Sequence, residues 1–124
     1  MIIKAESKSE ALEKCKELAD LESKTLGEKL NEDVLYYTFF LGMVGDDYDF
    51  AIAYMKAPNR GAKLSAMDLI YGMQATRAAE NIWYAGRLME STDERVEKDD
   101  DIYMGLMSSI IEQIKFLSVA LKKK

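Results

Sequence analysis

The second half of the chain carries its clearest pattern. From about Ser65 to Ser91, Tyr71, Ala75, Ala78, Ile82, Ala85 and Met89 recur at alternating spacings of four and three. From about Asp99 to Lys122, Tyr103, Met107, Ile110, Ile114, Leu117 and Leu121 repeat the same intervals. Residues so spaced fall on one face of a helix and meet those of a neighbour in left-handed helix pairing. The polar segment "STDERVEKDD" between them predicts a short connection, and hence an antiparallel helical hairpin. Asp99, Asp100 and Asp101 stand at the start of the last helix and Lys122, Lys123 and Lys124 at its end, the favourable signs for the helix dipole.

Upstream, Ser7 or Ser9 is placed to cap a helix whose face holds Leu12, Cys15, Ala19 and Leu26. Thr25 and Glu28 resemble a capping box, so residues 8–44 read either as one bent helix or as two. In both cases Leu26, Leu30, Val34, Tyr37, Leu41 and Val44 keep helical spacing. Asp46 and Asp47 then suit the N-cap of a shorter helix from about Tyr48 to Lys56, and Ile2 and Ile3 suit a short extended arm. Pro58 is the single proline and sits in "KAPNRGAK", which marks the midpoint loop. The expected fold is therefore all-α: one domain over 1–124, an antiparallel bundle of four or five helices with a long C-terminal hairpin.

Composition supports a chain that can build a core without staples. Its 124 residues are 48% apolar, and the formal net charge of −5 does not suit wrapping nucleic acid through an overall field. Cys15 is the only cysteine, so no internal disulfide can form, and its apolar helical setting predicts a buried thiol. The start "MIIKAESKSEA" has too short an apolar run for a signal peptide, and no stretch approaches the ~20 apolar residues of a membrane span. A cytoplasmic setting, with no membrane and no nucleic acid among the partners, is the expectation.

The chemistry available is narrow. With no histidine, the chain cannot supply a Ser-His-Asp triad, a Cys-His pair, an HExxH zinc site or a Glu-x-x-His di-iron site. Phosphate-binding glycine loops are missing too. Asp46, Asp47 and Asp49 in "GDDYDF" lack the alternating oxygen ligands and closing glutamate of a calcium loop, and read better as a helix cap. Glu10, Glu13, Glu17, Glu28 and Glu32 include helical pairs of the kind a carboxylate-dependent metal hydrolase uses. Lys14, Lys16, Lys24 and Lys29 among them fit ordinary charge compensation better. No catalytic residue, metal ligand or cofactor is assigned.

One constellation remains. If residues 70–90 form a single helix, Arg77, Asn81 and Tyr84 share a flank beside the small-residue face. They suit either a hydrogen-bonded network between helices or a site for a small anion, with Arg77 as anchor and Tyr84 as packing surface. Beside the heptad face of the last helix, Ile102, Leu106, Ser109, Gln113, Phe116 and Ala120 form a second stripe. More sticky surface is available than one hairpin consumes, which predicts a subunit interface with candidates Phe39, Phe40, Trp83, Phe116 and Ala120. The expected function is a non-enzymatic structural or interaction module forming a homodimer or higher homo-oligomer. Capture of a small anionic metabolite in an interhelical or intersubunit pocket is the alternative, and a metal hydrolase the weaker one.

Overall fold

The computed structural model describes residues 1–122, with side chains described as far as residue 114. Its elements run β1 (Ile2–Ile3), α1 (Lys8–Leu30), β2 (Val34–Val44), β3 (Asp47–Lys56), α2 (Arg60–Tyr71), α3 (Ala75–Gly86), α4 (Arg95–Lys98) and α5 (Asp100–Lys122). The fold is mixed α/β, which overturns the all-α bundle: a three-stranded antiparallel sheet in the order β1-β3-β2 lies between α1 on one face and α2, α3 and α5 on the other.

The correction centres on residues 34–56. β3 is the middle strand and is buried on both faces. Tyr48, Phe50, Ile52 and Tyr54 face Ala11, Cys15 and Ala19 of α1, while Ala51, Ala53 and Met55 face the helices opposite. A strand buried on both sides shows no polar alternation, and a continuous apolar run satisfies a helical template as readily as a strand. Asp46 and Asp47 cap no helix. Gly45 and Asp46 form the two-residue turn of a β-hairpin in which Val44 opposes Asp47. Gly45 has φ 63, and a positive φ at the first turn residue is the glycine-dependent geometry of tight hairpins. β2 and β3 stay in register from Val34↔Lys56 to Phe40↔Phe50, where a bulge at Leu41 shifts the ladder to Gly42↔Asp49.

α1 is one uninterrupted helix. Ser7 accepts from the Glu10 amide at 3.2 Å, and Asn31 closes the far end in left-handed conformation at φ 54. The short arm at Ile2 and Ile3 pairs with Asp49 and Tyr48, as an extended segment should. Pro58 lies between β3 and α2, whose N-cap Asn59 accepts from the Ala62 amide at 2.8 Å.

The long helix expected over Ser65–Ser91 is broken. α2 ends at Tyr71, Met73 takes a left-handed φ of 62, and α3 begins at Ala75. The reorientation changes which face is covered. On α3 the buried residues are Ala78, Ala79, Ile82 and Trp83, whereas Ala85 is exposed and Tyr71 and Met89 lie off the helix. α3 makes most of the expected packing against α5 and α2 touches it less, while the segment between them carries α4, which packs on α5 as well. α5 buries Ile102, Leu106, Met107, Ile110 and Ile114, drawing on both of its apolar stripes. α3 also comes very close to the sheet: a Cβ on Gly86 would stand 2.9 Å from the Lys56 carbonyl oxygen.

Candidate functional site

The sheet has one sealed edge and one open edge. Beyond β3, β1 covers one end, and residues 87–93 run along the rest. Met55 bridges Arg87, the Leu88 amide donates to the Tyr54 carbonyl at 2.9 Å, and the Asp93 amide donates to the Ile52 carbonyl at 3.0 Å. The buried Thr92 hydroxyl accepts from the Tyr54 amide at 2.9 Å. On the other side β2 is the outermost strand, and among the described residues no further strand pairs with it.

β2 has the sequence "VLYYTFFLGMV", eleven residues without a charge or proline. Leu35, Tyr37, Phe39 and Leu41 pack over the helical layer of α2, α3 and α5, and Val34 and Tyr36 lean toward α1. Phe40 packs at a tilt against Phe50 and Tyr48 with ring centroids 5.5 and 6.2 Å away, yet stays 36% exposed, with the Lys8 ammonium 4.4 Å above its ring. Acidic residues flank the strand: Glu32 and Asp33 before it, Asp46 and Asp47 after it.

Beneath β2 lies a cavity of about 180 Å³, lined by Leu35, Tyr37, Met55, Ile82, Ile110 and Ile114, with Lys63 and Gln113 as its polar members. The Tyr37 hydroxyl donates to the Gln113 side-chain oxygen, and burial pushes the phenol up to about 12, so it stays a donor at neutral pH. Lys63 is half-buried at this wall, and among the described residues no carboxylate pairs with it.

Arg77, Asn81 and Tyr84 all stand on α3 and are all exposed. Among the described residues Arg77 reaches only Gln74, at 3.4 Å. Tyr84 instead belongs to a chain of contacts between α3, α4 and α5. The Tyr103 hydroxyl donates to Glu80 at 2.8 Å and lies 3.5 Å from the Tyr84 hydroxyl; Arg87 sits 4.6 Å over the Tyr84 ring. Burial, aided by the Tyr84 and Glu80 contacts, raises the Tyr103 phenol well above its ordinary range. The structure therefore does not gather the trio into one buried network.

The interface candidates also separate. Phe39 and Phe40 point to opposite faces of β2, so Phe39 is half-buried under α5 and Phe40 is at the surface. Trp83, expected at a subunit interface, is 0% exposed, because the turn at 72–74 rotates α3 and brings α4 over it; its indole N–H donates to Glu97 at 2.8 Å. Phe116 and Ala120 lie outside the residues whose side chains are described.

A second charged cluster, which the sequence did not reveal, ties the hairpin to α4. Arg95 donates to Asp49 at 2.7 and 3.2 Å, to Asp93 at 2.8 Å and to the Phe50 carbonyl at 3.3 Å. Hydrogen bonds from Arg95 hold both Asp49 and Asp93 below the usual carboxylate range. All three are mutually satisfied, which is the arrangement of a clasp rather than of a reactive group. Among the described residues no three acidic or sulfur side chains converge to hold a metal ion, and no helix is long and apolar enough to cross a membrane. Comparison with known proteins finds no matching family model, no matching curated protein and no matching solved structure.

Proposed function

We propose that this chain is a non-enzymatic protein-interaction module that self-associates through the free edge of β2. The observation that carries the reading is the contrast between the two edges: one is sealed by β1 and residues 87–93, the other is eleven uncharged residues long. Exposed edges in soluble proteins are ordinarily blunted by charge, proline or shortness, because their unpaired amides and carbonyls template the pairing of another strand. β2 between Val34 and Phe40 carries none of these devices. A cytoplasmic setting goes with this proposal, on the ground that the single cysteine is a buried free thiol.

Sedimentation velocity tests the reading directly. A concentration-dependent shift to a larger species is expected across about 1 to 100 μM, the range of weak strand-mediated association. A fixed monomer throughout would overturn it.

A second reading, capture of a small anion, is favoured by one observation: the half-buried residue Lys63 lines an apolar cavity with Tyr37 and Gln113 on its wall. A cavity of this size takes a body comparable to a benzene ring. Benzoate titrated against the methyl resonances of Ile82, Ile110 and Ile114 should give saturable shifts that weaken in Lys63→Met. Non-saturating shifts, or shifts equal in both proteins, would dismiss it.

A further inference from the structure

Self-association through β2 leaves the geometry of the pair open, and a specific register both rests on that reading and deepens it. We infer that two copies join β2 to β2 antiparallel about a two-fold axis through Tyr37, making one continuous six-stranded sheet. Three features of the strand lead to this register.

The first is the length of regular backbone. Pairing with β3 is even from Val34 to Phe40, and the bulge at Leu41 then bends the strand away. A bulge at an edge ends regular pairing, so seven residues are available, and Tyr37 is the middle one.

The second is charge. If the whole of Val34–Val44 paired with itself, the axis would pass through Phe39 and set Glu32 of one copy opposite Asp46 of the other, with Asp33 opposite Gly45. Two such like-charge meetings, one at each end, disfavour that register. With Tyr37 on the axis the paired stretch contains no charge, and the acidic flanks of both copies fall outside it.

The third is side-chain fit. About Tyr37, Val34 of one copy lies opposite Phe40 of the other, Leu35 opposite Phe39, and Tyr36 opposite Thr38. Each is a match of an aromatic ring with a smaller aliphatic or β-branched side chain, the kind of cross-strand pair that stabilises antiparallel sheets. Residues paired in this way always belong to the same face. The α1 side of one sheet therefore continues into the α1 side of the other, and the α5 side into the α5 side.

Disulfide trapping distinguishes this register from any other. Cys15 is buried in the native chain, so cysteines introduced at Tyr36→Cys and Thr38→Cys report without interference. In the proposed register these two positions face each other within about 4.5 to 5.5 Å between Cα atoms, inside disulfide range. Two copies of either alone stand diagonally at about 7 Å or more, outside it. Mild oxidation of a mixture should trap the mixed dimer at least about tenfold faster than either variant alone. Amide exchange in the unmodified protein is the independent check: protection at 35–39 should rise with protein concentration. Equal trapping of all pairs overturns the register and leaves association through β2 standing, whereas protection at 35–39 that stays the same on dilution, in a protein that sedimentation shows to dissociate over the same range, removes β2 from the interface and the register with it. A monomer at every concentration removes both.

Discussion

Arg95 and Asp49 are joined by two hydrogen bonds of 2.7 and 3.2 Å, linking α4 to the first residues of β3 across 46 positions of sequence. Asp93 completes the clasp from the loop that seals the strand's outer edge. Both carboxyls titrate below their ordinary range in the folded chain, with Arg95 as the first cause. The stabilisation is therefore fully present above the ordinary carboxylate value of about 3.9 and is lost as pH falls from there through the lower folded values. Asp49→Asn should cost about 1.5 to 3 kcal/mol at neutral pH and flatten the acid limb of the stability profile, as urea titrations between pH 7 and pH 2.5 would show. An acid limb as steep as that of the parent would remove Asp49 from this account.

Trp83→Phe keeps a ring in the core and deletes the N–H that reaches Glu97. Because Arg87 still contacts Glu97 at 2.5 Å, the carboxylate is not stranded, and the loss should be about 1 to 3 kcal/mol. Since Trp83 is the only tryptophan and is fully buried, its fluorescence should be blue-shifted in the folded protein and move red on unfolding. Emission typical of water-exposed indole in the native state would contradict the placement of α3.

Gly86→Ala sets two effects against each other. Alanine favours a helix by about 1 kcal/mol over glycine, but the new Cβ would meet the Lys56 carbonyl oxygen at 2.9 Å and the Lys56 amide nitrogen at 3.4 Å. Both are backbone atoms of the central strand, which can yield only by moving the sheet. The steric effect should win, with a net loss of about 1 to 3 kcal/mol in chemical denaturation. A gain in stability would show that α3 can shift away from β3 at little cost.

Thr38→Lys places a charge on the free edge without touching the fully buried core. Self-association measured by sedimentation should weaken about tenfold or more, while the far-ultraviolet spectrum and unfolding midpoint stay close to those of the parent. An unchanged association would move the interface elsewhere on the surface.

The parts of the fold that are legible in the sequence are those with one buried face. α1 alternates buried Ala11, Cys15 and Ala19 with charged residues, and Ser7 announces its start. α5 is bounded by aspartates and holds its period, and Pro58 with Asn59 marks the turn into α2. Residues 34–44 and 50–55 are not legible through periodicity, because each run is almost continuously apolar and any period fits. Local chemistry is the better guide. "VLYYTFF" is rich in strand-favouring residues, and Gly45–Asp46 between two such runs is a hairpin signal. The break at Gly72–Gln74 gives little warning, since Met73 is an uncommon residue for a left-handed φ. The candidate site is hidden for the same reason as the sheet. Phe39 and Phe40 stand out as apolar surface, but an open edge exists only once the strand and its neighbours are known.

The loop at residues 87–93 has a consequence for the size of any assembly. Together with the two-residue β1 it occupies the far side of β3, so that among the described residues β2 is the long strand left with an unpaired side. A unit with two open sides can add copies without limit and draw out into a fibre, whereas a unit with one open side is consumed by its first partner. If two copies pair through β2 as proposed, Thr92 and Asp93, bonded to β3 on the side away from β2, are the stop that limits the assembly to a closed pair.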